Sequence, residues 1–412
     1  MNAEYPRRIL VAASTFPRRV GDGVPDFVWK QVRELKRSNP EIQIHVLAPH
    51  DRGALQSEEW EGILIHRYKY LPERFETLAY PAIWPNLVNS PLKFLQVPFL
   101  MLSLLWHAFM ICVRYRVDAI YSHWFMPQGV ACSIPAMLFR IRHVLTAHAS
   151  DVSVLWKVPF VGPTIVRLLI PKFHAITVDG HSGMQKLSAF FSAERWDELS
   201  ARVRVMPMGI DPECLPSPAD ALGREPRTLL FLGRLSEKKG VSDLLDAAAT
   251  LSREYPGFRL LIAGAGPLES GLREHVRILE MEEVVEFLGF VDESGKKECF
   301  ARASIQVAPS IKTSDGDEEG LPVAILEGLA AGLIVVATDE SGACDVIEQG
   351  KSGFIVPARS PESISETVRR IFHLTELERN QVSENARRAG LEFVWEKQAK
   401  RLFGFLFSRR SQ

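Results

Sequence analysis

The feature that most constrains this chain is a set of short, continuous apolar runs spaced widely enough for a helix between each pair. Ile9 to Ala13, Ile42 to Ala48, Ala119 to Ser122, Val144 to Ala147, Ala175 to Val178 and Val203 to Met206 form one series. Leu229 to Leu232, Leu260 to Ala263, Val284 to Leu288, Ile305 to Ala308, Ile334 to Ala337 and Phe354 to Val356 form a second. Continuous runs, unlike alternating ones, are those of strands buried on both faces, hence of parallel sheets covered by helices. Between the two series, Met206 to Pro226 holds five prolines with Gly209 and Gly223 and no apolar periodicity, the pattern of a linker. The expectation is an α/β chain of two doubly wound domains, 1–209 and 227–390, joined by residues 210–226. Their facing strand ends would leave a cleft, where ligands of such sheets bind.

Composition agrees with two ordinary globular domains: 412 residues, 46% apolar and 24% charged, which excludes a disordered or collagen-like chain. Five scattered cysteines without a Cys-x-x-Cys pair exclude a disulfide scaffold and argue for reduced thiols in the cytoplasm. The near-neutral total hides an asymmetry. Residues 1 to 209 carry about 24 Lys and Arg against 17 Asp and Glu, a surplus near +7, which leaves the remainder near −8. A basic half suits an anionic membrane surface or a phosphorylated acceptor, and an even scatter of solvated cations gives the same count.

The apolar run after Arg7 and Arg8 is five residues long, too short for a signal peptide, so a cytoplasmic location is expected. Phe94 to Val113 has the length of a span but is interrupted by Gln96, Pro98, Ser103 and His107, and is predicted as a buried or interfacial helix. The late segment Leu402, Phe403, Phe405, Leu406 and Phe407, before Arg409 and Arg410, either docks on the body of the protein or touches a membrane.

Two segments carry chemistry. Leu229 to Leu232 runs into Gly233-Arg234-Leu235-Ser236-Glu237-Lys238-Lys239-Gly240, then a helix from Val241. Such a turn aims backbone N–H groups and a helix dipole at one spot, and Arg234 and Lys239 add full charges that suit a diphosphate. A solvated basic turn is the plain alternative. In Glu318-Glu319-Gly320-Leu321-Pro322-Val323-Ala324-Ile325-Leu326-Glu327, Pro322 is predicted in a helix's first turn, with Gly320 freeing the backbone ahead of it. Glu327 then lies about 7 to 8 Å into the helix, and Glu319 on the loop before it. Carboxylates at that separation can hold hydroxyls at two ends of one ligand. Alternatively Glu319 only complements the helix dipole and Glu327 points into water. The acidic loop Asp315-Gly316-Asp317-Glu318 lacks the spaced ligands of a calcium loop, and no metal site is predicted.

These segments, in this order, resemble a retaining glycosyltransferase of the GT-B fold, of the bacterial NDP-sugar-dependent family with a Glu, seven residues, Glu signature (glycosyltransferase family 4 type). The resemblance also runs through Gly21-Asp22-Gly23, Phe27 to Leu35, Ser122-His123-Trp124, Thr146 to Val152, Met206 to Asp211, Gly264-Ala265-Gly266-Pro267-Leu268 and Phe287 to Val291. It implies two Rossmann-like domains, with the acceptor held mainly by the first, the donor mainly by the second, and a C-terminal helix (391–412) returning to the first. Carried over by position, Arg234 and Lys239 bind the donor diphosphate with the amides of Gly320, Leu321 and Val323. Glu319 takes the donor sugar and Glu327 the nucleotide ribose. Gly23 supplies an amide near the phosphates, Phe290 and Val291 lie by the base, and His148 approaches the donor sugar. Without the resemblance His148 is an ordinary strand-end histidine, and Asp151 equally well caps the next helix. Ala149, Leu333 and the segment Ser341 to Asp345 depart from the family pattern without removing a charge from this set.

The implied activity moves a hexose-type sugar from a nucleotide-diphosphate sugar to an acceptor hydroxyl, in surface polysaccharide or glycolipid synthesis, with no cofactor, no metal and no nucleic-acid partner. The acceptor would be lipid-linked or a saccharide, with peripheral contact to the inner membrane face. Rival expectations are a UDP-sugar 2-epimerase-like enzyme and a non-catalytic nucleotide-sugar-binding subunit.

Overall fold

Strands form where the continuous apolar runs lie, and they divide into two sheets. The computed structural model describes residues 7–407 except Val20, Gly23, Pro159, Leu222 and Asp315, and except the side chains of Ala149, Ser150, Asp151, Lys157, Pro218 and Ala219. The chain separates into two units, Met1–Met208 with Trp395–Gln412, and Gly209–Val394.

The first unit's strands are β1 (Arg8–Ala12), β2 (Gln43–Pro49), β3 (Ser57–Trp60), β4 (Ile63–Tyr68), β5 (Ala119–His123), β6 (Arg142–Ala147), β7 (Ala175–Val178) and β8 (Val203–Val205). They lie in the order β3-β4-β2-β1-β5-β6-β7-β8. Central β1 is fully flanked, with Ile9 between Ile44 of β2 and Ala119 of β5, both parallel. Among the described residues only β3 runs antiparallel, against β4. The predicted series omits β3, the sheet's edge, and β4, which lies between β3 and β2. β3 offers only Trp60 beside Ser57, Glu58 and Glu59, and the apolar run of β4, Ile63 to Ile65, is cut short by His66 and Arg67.

The second unit's strands are β9 (Thr228–Leu232), β10 (Arg259–Ala263), β11 (Val285–Gly289), β12 (Ile305–Ala308), β13 (Ile334–Thr338) and β14 (Phe354–Val356), all parallel, in the order β11-β10-β9-β12-β13-β14. In each sheet the strand order reverses beside the first strand, at β1/β5 and at β9/β12. Doubly wound sheets bind ligands outside the strand carboxyl ends at that point.

Three expectations meet a more specific outcome. The proline-rich segment packs on the second unit rather than running free. Ile210, Cys214 and Leu215 are buried, and the Ile210 N–H donates to Phe393 O at 2.9 Å. Beyond them Arg224 donates to Phe300 O (3.1 Å), Gly332 O (2.9 Å) and Ala331 O (2.5 Å), closing the C-terminal end of the helix Val323–Ala330. A basic side chain satisfies carbonyls that a helix end leaves without partners.

The late aromatic segment is the helix Trp395–Phe407, and it docks: Ala399, Leu402 and Leu406 are buried in the first unit's core with Val28, Val32 and Leu35. Arg409 and Arg410 lie outside the described residues. The long apolar segment is the helix Val97–Tyr115. It buries Leu100, Leu104, Ala108, Ile111 and Cys112 at helical spacing and leaves its other face open.

Two outcomes follow for stability. Replacing Arg224 by Met keeps the apolar stem but strands the Phe300 and Ala331 carbonyls, while Gly332 O keeps the Ser383 hydroxyl, and should lower urea stability of the second unit by about 2 kcal/mol. An unchanged urea midpoint would refute that role. Burial pushes His45 and His148 down to about 4 and His143 to about 3, and drives His123 well below its ordinary value. Unfolded histidines titrate near ~6.5, so below that pH the unfolded chain binds more protons than the folded one. Their contribution is fully present above the unfolded value and shrinks as pH falls toward the folded ones. The urea midpoint of the first unit should therefore drop between pH 7 and pH 5, and a flat profile would contradict this.

Candidate active site

In the second unit the turn after β9 is shaped by backbone contact. A Cβ on Gly240, whose φ is +61°, would fall 1.9 Å from Pro309 O, so only glycine lets this turn seat against the end of β12. The Ile311 N–H donates to Lys238 O at 2.9 Å and ties the two loops together. Lys239 follows directly, and its Nζ lies 3.3 Å from Glu319 Oε1. Lys238 reaches the same carboxylate at 3.5 Å and Asp317 at 3.3 Å. Burial lowers the Lys238 ammonium pKa, and the two carboxylates more than reverse that, so the net shift is upward. Arg234, at the start of the turn, is exposed and has no ion-pair partner among the described residues.

Gly320 and Leu321 are buried just ahead of the helix Val323–Ala330. Pro322 is extended, with φ −60° and ψ 129°, and stands one residue before the helix, not in its first turn as the sequence suggests. Its fixed φ suits either position. The Ile325 N–H turns back to Pro322 O at 3.0 Å, and the first amides of a helix have no partner within it. Gly342, at φ +73°, packs so closely that a Cβ would sit 1.6 Å from Gly320 O, which braces the loop from the Ser341 to Asp345 side.

Glu327 does not point into water. It is buried, and Lys296 Nζ donates to its Oε1 at 2.7 Å. Lys296 comes from the helix Glu293–Arg302, which follows β11, and nothing local in the sequence links it to Glu327 31 positions away. Phe290, at the same end of β11, is 83% exposed, a bare aromatic face, with Val291 half-buried beside it. Asp317 and Glu318 of the acidic loop pair with Lys238 and Lys312, and Asp315 lies outside the described residues. Among the described residues no group of three or more His, Cys, Asp or Glu is arranged to hold a metal.

In the first unit, His148 follows β6 and precedes the helix Ala149–Lys157. It is buried, with Nε2 3.4 Å from His123 Nδ1 at the end of β5 and the two rings within 15° of parallel. Phe27 and Trp124 enclose the pair, their ring centroids 5.5 and 4.8 Å from that of His148. Burial lowers both histidines, and for His123 the charge of His148 adds to it, so the pair is neutral at neutral pH. A neutral imidazole here can give or accept one hydrogen bond without carrying charge. Gly23 and the side chain of Asp151 lie outside the described residues. The neighbouring Gly21-Asp22 turn is held by Arg18, which bonds Asp22 Oδ2 at 2.8 Å and Asp51 Oδ2 at 2.8 Å. Arg18 holds the Asp22 carboxyl down at about 2.

The predicted set thus sits at strand carboxyl ends: His148 in the first unit, and Arg234, Lys239, Phe290, Val291, Glu319, Gly320, Leu321, Val323 and Glu327 in the second. Sequence inspection missed Lys296, the brace from Lys238, and the Arg18 clamp. Only Lys238, adjacent to Lys239, offered a local signal.

Residues 22–209 match the family described as Glycosyl transferase 4-like domain, and residues 218–389 match Glycosyl transferases group 1. The chain is 32% identical over 285 residues to a protein of Escherichia coli K12 assigned as the colanic acid biosynthesis glycosyltransferase WcaL, covering 68% of this chain and 66% of that one. The first three curated relatives are spanned over 40%, 66% and 42% of their own lengths, in each case less than two thirds. Among solved structures, sucrose-phosphate synthase from Thermosynechococcus elongatus superposes with a TM-score of 0.69 at 17% identity, covering 96% of this chain and 97% of that one. Anabaena HepE, solved with UDP, superposes at 0.65 with 16% identity, covering 97% and 99%. The chain thus has the two-domain GT-B fold, with a first part similar to the glycosyl transferase 4-like domain and a second similar to the glycosyl transferases group 1 domain.

Proposed function

We propose that this protein is a retaining glycosyltransferase that moves a hexose-type sugar from a nucleotide-diphosphate sugar to an acceptor hydroxyl in polysaccharide or glycolipid synthesis. The observation that carries the reading is the arrangement around the helix Val323–Ala330: Glu319 against Lys239 before its first turn, and Glu327 held by Lys296 within it. The name of the WcaL relative supports a biosynthetic role.

In this reading the bond between the sugar's anomeric carbon and the diphosphate oxygen breaks while the bond to the acceptor oxygen forms on the same face. The acceptor's proton passes to the leaving phosphate. Negative charge grows on that phosphate, so Arg234, Lys239 and the amides of Gly320, Leu321 and Val323 supply the main stabilisation. Glu319 holds sugar hydroxyls and Glu327 the ribose, the donor geometry carboxylates provide best. Lys296 keeps the Glu327 carboxylate aimed, Phe290 and Val291 cover the base, Gly23 adds an amide, and the neutral His148 contacts the sugar. The reaction draws on no cofactor and no metal. A 2-epimerase would need acid and base groups on both sugar faces, and a binding subunit would release no nucleotide.

Thermal-shift measurements with UDP, GDP, ADP and their sugar conjugates test the donor site. One nucleotide at about a hundredfold over its Kd should stabilise the protein by about 2.7 kcal/mol. That stabilisation should vanish in Glu327→Ala and Arg234→Ala, and should weaken in Lys296→Met. Turnover then separates the readings: transfer gives nucleoside diphosphate release only with an acceptor, falling ~100-fold or more in Arg234→Ala. An isomerised sugar nucleotide would indicate the epimerase instead, and stabilisation by no nucleotide would defeat the proposal.

A further inference from the structure

The face of Val97–Tyr115 turned away from the sheet is apolar along its whole length. Leu95, Phe99, Leu102, Trp106, Met110 and Val113 recur every three or four positions and are all exposed, Leu102 at 65% and Trp106 at 60%. The surface continues onto the helix Val130–Leu138. Phe109 packs on Phe139 with ring centroids 5.2 Å apart, and Ile134, Met137 and Leu138 are exposed beyond it. A patch of this extent on a folded protein marks an interaction surface.

The surroundings say what kind. Between residues 77 and 178 the sequence has eight Lys and Arg against Asp118 and Asp151 and no Glu. Arg114 and Arg116 stand exposed at one end of the stripe. At its other border Arg140 and Lys172 line a cavity of about 240 Å³ together with Met137, and neither cation has an ion-pair partner among the described residues. An apolar face bordered by these cations matches an anionic lipid surface, where tails meet phosphates. A protein partner for so basic a rim would need matching acids, and a second copy of this face would bring like charges together.

The helix does not cross the bilayer. Its opposite face, Leu100, Leu104, Ala108 and Ile111, is buried in the core, and Ser103 Oγ donates to Lys69 O at 2.7 Å. We infer that the Val97–Tyr115 and Val130–Leu138 surface lies flat in the interface of an anionic membrane, with Arg140 and Lys172 taking lipid headgroup phosphates. The inference stands apart from the transferase reading, since it concerns binding alone.

Vesicle flotation of the full chain tests it, using phosphatidylcholine alone and phosphatidylcholine with about a third phosphatidylglycerol. The wild type should float with the anionic vesicles and release in high salt. L102E/W106E should reduce binding about tenfold or more, and R140E/K172E should reduce it to the phosphatidylcholine level. All four positions are exposed, so both variants should keep the wild-type melting temperature. The inference is overturned if the wild type ignores both vesicles, or if both variants bind as the wild type does. A wild-type dimer by light scattering, split by L102E/W106E and indifferent to vesicles, would assign the face to self-association and also overturn it.

Discussion

A strand with neighbours on both sides and helices on both faces has little room for a charged side chain except at its ends. That constraint organises both units. β1, β5 and β9 are buried along their whole length or nearly so, and every charged or imidazole group of the candidate site begins at or after a strand's carboxyl end. The loops there must carry the chemistry and pack closely at once. Glycines at 240 and 342 meet that double demand, because they let backbone approach backbone where a Cβ would collide.

Legibility in the sequence follows the same logic. The central strands announced themselves because burial on both faces erases alternation. The edge strand β3 stayed hidden because one side of an edge is solvated and its mixture of Glu58, Glu59 and Trp60 reads like a loop, while the apolar run of β4, Ile63 to Ile65, is too short to stand out. The proline-rich segment was recognisable as a boundary but not as a packed one. Its anchorage depends on Arg224 meeting carbonyls about a hundred residues away, a contact no local pattern encodes.

The site was legible where chemistry is local and opaque where it is not. Lys239 and Glu319 drew notice as motif residues, yet their mutual ion pair is a tertiary fact. Glu327 carried two opposed expectations, solvated or engaged, and the deciding partner, Lys296, lies on another helix. Pairing these charges in advance matters physically. A buried carboxylate with a fixed cation keeps its orientation without a ligand, so less ordering remains to be done when one arrives. The neutral His148 and His123 pair achieves the same through packing between Phe27 and Trp124.

The helix Trp395–Phe407 belongs to the first unit's core although the whole second unit precedes it in the chain. During synthesis at about 5 to 20 residues per second, the segment from Gly209 to Val394 takes roughly 10 to 40 s to emerge. Throughout that interval the groove beside Val28, Val32 and Leu35 stands open, and the second unit can finish folding first. The first unit's core is thus the last to be completed, since Leu402 and Leu406 emerge only after every residue of the second unit.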